Sequence, residues 1–329
     1  MKKNIAIVAG GDSSEYVISL KSAEQIAKWI DKDKYNVFTI LAKGTDWFVK
    51  SEQFCDLVLN KDDFSFSYNN QKTTFDCALI TIHGTPGEDG KMQGYFDTLH
   101  IPYTTSNVLA SAITFNKVFS KNYLKPFNIP LANFITLKKG DVIDADKIIE
   151  VTGLPCFVKP NCGGSSFGVS KVKEKDKLFE AIEFAYKEDN EVIIEEFLSG
   201  TELTCGLVKT KEQTIIFPPT EIVSKTEFFD YEAKYTKGMC DEITPARISK
   251  ELTIEIQQLS SQIYDIFNLN GIVRIDYIYS KDTLYFMEVN TVPGMSAASI
   301  VPQQVEAAGL NMKDIFGLII EDSLNRHQK

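Results

Sequence analysis

Residues 274–300, RIDYIYSKDTLYFMEVNTVPGMSAASI, hold the densest group of chemically active side chains in the sequence. Two apolar runs, Gly271–Tyr279 and Leu284–Val289, flank the turn-like sequence SKDT at 280–283. Apolar runs rich in Ile, Val and Tyr, joined by a short polar turn, predict a β-hairpin. In a hairpin, side chains alternate between two faces, so the prediction also says which side chains lie together.

Three oxygen-bearing side chains converge on one face of this predicted hairpin. A turn centred near Asp282 places Asp276 opposite Glu288. Asn290 shares the face of Glu288, and Arg274 that of Asp276, because residues two apart point to the same side of a strand. Two adjacent carboxylates repel each other unless a cation neutralises them, and oxygen ligands suit Mg²⁺. The pattern therefore predicts a magnesium site, with Arg274 placed where anionic charge develops.

The alternative interpretation is an ordinary acidic face in contact with solvent. Exposed strand faces usually carry Lys and Thr, whereas the residues between these acidic positions are apolar. Gly294 after Pro293 also indicates that the backbone passes close to another group. These observations favour a site over a solvated face.

Composition limits the class of protein. The chain has 329 residues, which predicts two or three domains, and its 43% hydrophobic and 24% charged content is typical of a soluble globular protein. Net charge is −10, the pI is near 5.0 and no Lys/Arg cluster is present, so small-molecule partners are favoured over nucleic acid. No apolar run approaches the ~18 residues of a membrane helix.

The first residues and the cysteines indicate a cytoplasmic protein. The apolar run Ile5–Ala9 is only five residues long and ends at a glycine turn, which predicts a buried strand rather than a signal peptide. The six cysteines lack C-x₂-C spacing and are interpreted as reduced thiols. With three histidines in the whole chain, a histidine-rich metal site is not expected.

Residues 1–105 alternate between strand and helix patterns, which predicts a parallel α/β sheet. The predicted elements are the strands Lys3–Ala9, Tyr35–Leu41 and Ala78–Ile82 and the helix Ser19–Ile30. Ligands of such sheets bind beyond the carboxyl ends of the strands. The polar segments 10–15 and 83–90 are located there.

Two further domains are predicted, at residues 106–195 and 196–329. The first has a helix over Asn107–Tyr123, strands at Pro155–Val158, Val169–Val172 and Glu191–Glu196, and a helix at Lys175–Lys187. The second holds the hairpin and a last helix near Met312–Asn325. Residues 224–247 are polar and aromatic without a period, and a long loop is predicted there.

The segment FVKPNCGGSSFGV at 157–169 combines a strand, a Gly/Ser loop and a second strand. Backbone N–H groups of such a loop can point at phosphate oxygens, and Lys159 adds a cation. The sequence is not a P-loop, because G-x₄-G-K-[ST] is absent. A flexible hairpin turn is the alternative, although three glycines and two serines exceed what a turn requires.

Three weaker signals complete the candidate site. The apolar strand at 192–194 continues into acidic residues and a glycine turn, where strand-edge groups could bind a purine or where the strand could simply end. Glu15 could pair with a substrate ammonium or could be the N-cap of a helix with an acidic first turn. His83 is either a site residue or a hydrogen-bond donor within its loop.

Several of these segments together resemble the D-alanine–D-alanine ligase family of the ATP-grasp superfamily, over nearly the whole chain. The matching segments are GGDSSE at 10–15, HG at 83–84, GEDG at 87–90, QG at 93–94, IPY at 101–103, GSS at 164–166 and EVNTVPGM at 288–295. The resemblance implies three domains, the N-terminal α/β domain and two antiparallel-sheet domains that hold ATP between them. It also implies that the loop 224–247 is a lid.

The resemblance further implies which residues bind ATP and metal. The implied phosphate contacts are Lys117, Lys159 and Lys234, the implied adenine contacts are Glu195, Glu196 and Leu198, and the implied ribose contact is Glu202. Two Mg²⁺ ions, replaceable by Mn²⁺, would be held by Asp276, Glu288 and Asn290, the three residues that the hairpin pattern brings together.

Roles in catalysis are implied in the same way. Glu15 would bind the ammonium of the first D-alanine, and Ser165 and Tyr235 would join it in a hydrogen-bonded triad. Arg274 and the Gly294 N–H would stabilise an oxyanion. The second D-alanine's carboxylate would be received at Ser299 and Ile300, and a tyrosine at position 235 favours D-alanine as that second substrate.

The implied reaction joins two D-alanine molecules through a D-alanyl phosphate, for peptidoglycan synthesis, in a homodimeric bacterial cytosolic enzyme. Three rival functions remain: another ATP-grasp carboxylate–amine ligase, a non-catalytic nucleotide sensor and a dinucleotide oxidoreductase. A sensor would not need Arg274 with the full ligand set. The oxidoreductase is disfavoured because Gly10 and Gly11 are not part of a G-x-G-x-x-G motif.

Overall fold

Three β-sheets, each formed by a successive part of the chain, make up the frame of the protein. The computed structural model describes residues 2–50, 56–164, 167–224 and 240–326. Within these ranges, none of the helices combines the length and the apolarity that crossing a bilayer requires. The predicted combination of an N-terminal α/β domain with two antiparallel sheets is confirmed. The domain boundaries at 105/106 and 195/196 stay predictions.

The N-terminal sheet has the order β4-β3-β2-β1-β7. Its strands are β1 (Lys3–Gly10), β2 (Tyr35–Lys43), β3 (Asp46–Lys50), β4 (Leu57–Val58) and β7 (Cys77–Ile80), with the helices α1 (Tyr16–Trp29) and α2 (Lys91–Thr98). β1 is parallel to β2 and β7 as predicted, but β3 and β4 are antiparallel. The antiparallel edge adds to the predicted parallel sheet, because a two-residue turn, 44–45, joins β2 to β3 and so short a turn joins antiparallel strands. A small hairpin, β5 (Phe66–Tyr68) and β6 (Gln71–Thr73), stands apart.

The central sheet is antiparallel, with the order β10-β9-β11-β8. Its elements are β8 (Phe134–Lys138), α5 (Ala145–Thr152), β9 (Cys156–Pro160), β10 (Ser170–Val172), α6 (Leu178–Ala185) and β11 (Glu191–Glu196). The predicted helix over Asn107–Tyr123 is instead two helices, α3 (Val108–Phe115) and α4 (Lys117–Leu124). Asn116 breaks it because its backbone is extended and its side chain accepts a hydrogen bond from Phe119 N at 2.9 Å, which caps α4.

The C-terminal sheet has the order β15-β14-β12-β16-β17, and β13 also pairs with β12. Its elements are β12 (Thr201–Lys209), β13 (Thr214–Ile216), β14 (Thr220–Ser224), β15 (Cys240–Ile243), α7 (Lys250–Ile266), β16 (Gly271–Ser280), β17 (Thr283–Asn290), α8 (Ile300–Ala307) and α9 (Met312–Arg326). β16 and β17 form the predicted hairpin. Its turn residues Lys281 and Asp282 both have positive φ, which is typical of tight hairpin turns.

The loop predicted at 224–247 is wrong at its end, where β15 pairs with β14 along four residues. β15 is an edge strand, with one side unpaired, and a polar sequence can form such a strand. The sequence therefore lacks the apolar alternation from which a strand is predicted. Residues 225–239, which include Phe229, Lys234 and Tyr235, lie outside the described residues, as do Ser165 and Ser166.

The last helix packs on the first sheet, which joins the two ends of the chain in one core. Phe316 and Ile320 of α9 belong to the same buried cluster as Ile7 of β1 and Ile26 of α1. The Phe316 ring stacks on Trp29 with a centroid distance of 6.1 Å. The N-terminal and C-terminal parts are therefore held together by apolar packing.

A buried ion cluster attaches α4 to the central sheet. The Glu195 carboxylate lies 2.7 Å from Lys121 Nζ and 2.6 Å from Lys159 Nζ. Burial raises the pKa of Glu195, but the two lysines lower it more strongly and hold it well below its ordinary value. The carboxylate is therefore ionised in the folded protein, and the cluster depends on that charge.

We expect Phe316→Ala to lower the free energy of unfolding by about 3–5 kcal/mol, because it leaves a cavity in the core shared by both ends of the chain. Phe179→Ala is the matched control, since the Phe179 side chain is largely exposed, and it should cost less than about 1 kcal/mol. Urea denaturation measures both. Equal losses would contradict the shared core.

Acid should destabilise the protein through Glu195. Below pH 5 the unfolded chain takes up a proton at this side chain, with an ordinary pKa of about 4.3, while the folded chain does not, so stability falls as pH falls. Between pH 5 and 3 this contribution is about 2 kcal/mol. Glu195→Gln should lose less stability over that interval than the wild type. Identical slopes of stability against pH in Glu195→Gln and in the wild type would refute the assignment.

Candidate active site

A cavity of about 440 Å³ lies between the central and C-terminal sheets. Its walls combine the ends of β9 and β10, the connection from β11 to β12, the strand β14 and the hairpin. Six of the predicted site residues line it, namely Lys117, Lys159, Leu198, Glu202, Asp276 and Glu288. Apolar surfaces from Phe157, Ile222 and Met287 complete it, so the cavity offers both apolar and charged surfaces to a ligand.

The hairpin register brings the predicted acidic face together. Asp276 pairs with Glu288, and Arg274 pairs with Asn290. The Arg274 guanidinium donates to both Asp276 oxygens at 2.8 and 2.7 Å, and Asn290 Nδ2 donates to Asp276 Oδ2 at 2.9 Å. Thr204 Oγ1 donates to the other Asp276 oxygen. Burial lowers the pKa of Arg274, but Asp276 offsets this and keeps the pKa above its ordinary value, so the guanidinium is charged.

Lys117 connects the hairpin to the Gly/Ser loop. Its Nζ lies 3.2 Å from Glu288 Oε2 and donates to the Gly163 carbonyl at 2.8 Å. Arg274 and Lys117 thus each face one carboxylate of the pair. Cationic side chains of the protein therefore already face both carboxylates, and the magnesium site stays a prediction.

The donor set nevertheless suits Mg²⁺. Asp276, Glu288 and Asn290 offer two carboxylates and an amide oxygen from neighbouring strands at the edge of one cavity, and hard oxygen ligands are what Mg²⁺ binds. Within the described ranges, no three His, Cys, Asp or Glu side chains are grouped as a metal site. The predicted set has two acidic members, Asp276 and Glu288, and the amide of Asn290 as its third oxygen donor.

The loops after β1 and β7 bring Glu15 to the Gly/Ser loop. A Cβ added to Gly164 would lie 2.5 Å from Glu15 Oε2, so a larger residue at this position would force the Glu15 carboxylate to shift. The side chain of Ser13 organises the turn, donating to the His83 carbonyl at 2.7 Å and accepting from Glu15 N at 3.2 Å. Glu15 is buried at this contact between the N-terminal and central parts.

His83 is a buried connector to the C-terminal part. Its Nδ1 lies 2.8 Å from the Val292 carbonyl, which can only accept, so Nδ1 carries the proton. Nε2 lies 3.3 Å from Ser22 Oγ. Burial lowers the pKa of His83 despite the opposing charge of Glu15, which favours the neutral ring. Of the two sequence interpretations, the hydrogen-bonding one describes its contacts.

Gly294 and Ser299 are close together beyond the hairpin. A Cβ on Gly294 would lie 3.1 Å from Ser299 Oγ, and Ser299 Oγ accepts from Ser296 N at 3.0 Å. Ile300 begins α8 directly after Ser299. The N–H groups of the first turn of that helix can face an anion, which suits a carboxylate.

The side chains of two predicted adenine contacts, Glu195 and Glu196, bind other residues instead of lining the cavity. The Glu195 carboxylate is engaged with Lys121 and Lys159, and the Glu196 carboxylate accepts from both the backbone and the side chain of Asn133 at 2.9 and 3.0 Å. Neither is among the described residues that line the cavity. Their predicted role therefore requires backbone atoms or a rearranged side chain.

The sequence interpretation missed three residues near the site. Lys121 lies four residues after Lys117 in α4 and therefore on the same face of the helix, and this spacing could have identified it from the sequence. Thr204 pairs with Asp276 across β12 and β16, and only the sheet register shows this. Glu242 of β15 pairs with Ile222 of β14 and accepts a hydrogen bond from Gln303 Nε2 at 2.8 Å. The sequence pattern predicts a loop at Glu242.

The sequence matches a known protein family along most of its length. Family models described as the D-ala D-ala ligase N-terminus and C-terminus match residues 4–106 and 123–321. A curated D-alanine–D-alanine ligase of Bacteroides fragilis is 52% identical, covering 98% of this chain and 99% of that protein.

Solved structures agree along the whole chain. A D-Ala:D-Ser ligase of Enterococcus faecalis is 31% identical with a TM-score of 0.86, covering 98% of this chain and 99% of that one. A Bacillus anthracis D-alanine–D-alanine ligase complexed with ATP is 30% identical with a TM-score of 0.79, covering 99% of both chains. The chain therefore belongs to the D-alanine–D-alanine ligase family of ATP-dependent ligases.

Proposed function

We propose that this ligase joins two D-alanine molecules through a D-alanyl phosphate, in the cleft between the central and C-terminal sheets, and so supplies dipeptide for peptidoglycan in the bacterial cytosol. The observation that carries the proposal is the convergence of Lys117, Lys159, Asp276 and Glu288 on one cavity. Cations for phosphate, oxygen ligands for a metal and apolar walls for a base are together what a nucleotide site requires.

The first step would transfer the γ-phosphoryl group. An oxygen of the first D-alanine's carboxylate attacks the γ-phosphorus, the bond to the β-phosphate oxygen breaks, and ADP leaves. Lys117 and Lys159, with Lys234 outside the described residues, would balance the charge of the transferring group. Glu15, held near Gly164, would pair with the substrate ammonium and orient its carboxylate.

The second step would form the peptide bond. The amine of the second D-alanine attacks the acyl carbon, the tetrahedral oxyanion collapses, inorganic phosphate leaves and the amine loses a proton. Arg274 and the Gly294 N–H would face the oxyanion. Ser299 and Ile300 would receive the second carboxylate at the start of α8. The loop that contains Tyr235 would exclude water, which otherwise hydrolyses the acyl phosphate.

A bound metal would be held by Asp276, Glu288 and Asn290 and, when present, would neutralise phosphate charge during transfer. Arg274 keeps Asp276 oriented through its two hydrogen bonds, and Lys117 holds Glu288. These residues therefore preorganise the donor set before any ligand arrives. We further propose a homodimer, as the family resemblance implies.

The direct test measures phosphate release from Mg-ATP with D-alanine, with L-alanine and with no amino acid. We expect release only with D-alanine, with D-alanyl-D-alanine identified by mass spectrometry, and loss of release in chelator that added Mg²⁺ restores. Parallel reactions with D-serine and D-lactate define the second substrate. Absence of D-alanine-dependent release from folded, ATP-binding protein would sink the proposal and favour another acid substrate or a nucleotide sensor.

Arg274→Met should lower kcat by about 10²–10³, because it removes a donor that acts on the oxyanion. Arg247→Met is a close control: Arg247 also forms a two-bond fork, on Glu221 at 2.8 and 2.8 Å, but it is largely exposed. Such surface pairs are worth about 0–1 kcal/mol, so its kcat should stay near wild type. Retained ADP binding shows that each variant is folded. Similar kcat values for the two variants would contradict the role of Arg274.

A further inference from the structure

Lys121 is a buried cation that the mechanism above does not use. It lies on α4 with 2% relative exposure, and its Nζ is 2.7 Å from Glu195 Oε1. Glu195 is itself 5% exposed, and its other oxygen lies 2.6 Å from Lys159 Nζ. A buried lysine is costly unless a partner compensates it, so its presence here calls for a physical reason.

The cluster carries an excess of positive charge on the side of the cavity. Two ammonium groups share one carboxylate, which gives a net charge of +1. Lys159 lines the cavity, whereas Lys121 is behind it and is not among the described lining residues. Each lysine engages a different oxygen of Glu195. The carboxylate is therefore divided between them, and Lys159 is only partly neutralised.

We propose that Lys121 is a positioning residue for the nucleotide's phosphates: by sharing Glu195, it keeps Lys159 available as a net cation at the phosphate end of the cavity. Without Lys121, Glu195 would neutralise Lys159 completely and the pair would present no net charge to an anion. The inference rests on the proposed nucleotide site and adds to it a residue that does not touch the ligand.

The surroundings of Lys159 support its role as a charged group that is only partly neutralised by Glu195. Burial lowers the pKa of Lys159, but Glu195 offsets the effect and holds the pKa above its ordinary value, so the ammonium is charged. The Lys159 ammonium also lies 5.4 Å from the Phe157 ring centroid, at the wall where a base could stack. One side chain can thus face both the phosphates and the apolar wall.

A purely structural Lys121 would give a different result from a charge-sharing one. If it only fastened α4 to β11, its loss would weaken folding and all ligands alike. If it sets the charge at Lys159, its loss would weaken phosphate-bearing ligands selectively. ADP and adenosine differ only by the diphosphate, so the ratio of their affinities isolates the phosphate contribution and cancels changes in adenine binding.

The experiment measures ADP and adenosine affinities by calorimetry, at constant Mg²⁺ and salt, for a charge series. The cluster carries +1 in the wild type, 0 in Lys121→Met, +2 in Glu195→Gln and +1 in the double variant Lys121→Met/Glu195→Gln. We expect the ADP preference over adenosine to fall on the order of tenfold in Lys121→Met, because one charge-assisted contact is weakened. The double variant should recover the wild-type preference, and Glu195→Gln should exceed it.

Two further variants separate charge from packing. Lys121→Arg keeps the charge and should preserve the ADP preference. Lys125→Met removes an exposed lysine of the same segment, whose Nζ lies 4.9 Å from the same Phe134 ring that Lys121 approaches at 5.9 Å, and it should leave the preference unchanged.

Three outcomes would overturn the inference: an unchanged ADP preference in Lys121→Met, failure of the double variant to recover it, or an equal loss in Lys125→Met. If Lys121→Met does not fold, the comparison of Glu195→Gln with the double variant still applies. These two differ by the same single charge, and equal preferences would refute the inference. A wild type that binds ADP no better than adenosine would instead refute the nucleotide site itself.

Discussion

Burial of charge in the cleft is the constraint on which the rest of the structure depends. Three cations at the cavity each lie within 3.2 Å of a carboxylate, in the pairs Arg274–Asp276, Lys117–Glu288 and Lys159–Glu195. A charge that loses its partner in a low-dielectric interior costs several kcal/mol. Lys117–Glu288 joins α4 to the hairpin and Lys121–Glu195 joins α4 to the central sheet, so the requirement that charges meet also constrains how these elements are placed around the cavity.

The Lys117–Glu288 pair is easier for a bound ligand to break than the Glu195 cluster. The Glu288 side chain keeps 32% of its surface exposed and lies 3.2 Å from Lys117, whereas Glu195 is almost fully enclosed and has contacts of 2.6 and 2.7 Å. Breaking the exposed pair costs less, because water or an incoming ion can replace the lost partner. A polyanion entering the cleft can therefore draw Lys117 away from Glu288, while the Glu195 cluster remains a fixed electrostatic wall.

Local pattern was sufficient for the hairpin and insufficient for the contacts that complete the site. The pairing of Asp276 with Glu288 was predicted, but the turn alone does not set it. The register beside the turn would place Asp276 opposite Met287, and a bulge between Asp276 and Tyr277 shifts the pairing by one residue to Glu288. The contact between Lys121 and Glu195 joins residues 74 positions apart, and sequence spacing places Lys121 only beside Lys117. The edge strand β15 was missed for a related reason, since its pairing with β14 depends on tertiary structure rather than on apolar alternation.

The three sheets differ in how far their buried apolar clusters are shared with other parts of the protein. Among the described residues, the buried cluster of the central sheet is formed by residues between 137 and 194, such as Val158 and Ile182, all from this part of the chain. The N-terminal sheet, by contrast, shares its core with α8 and α9, and Leu124 of α4 packs in the core of the C-terminal sheet. The central sheet therefore meets its neighbours at the cleft mainly through polar and charged contacts. Such contacts can be exchanged for ligand at lower cost than an apolar core can be opened.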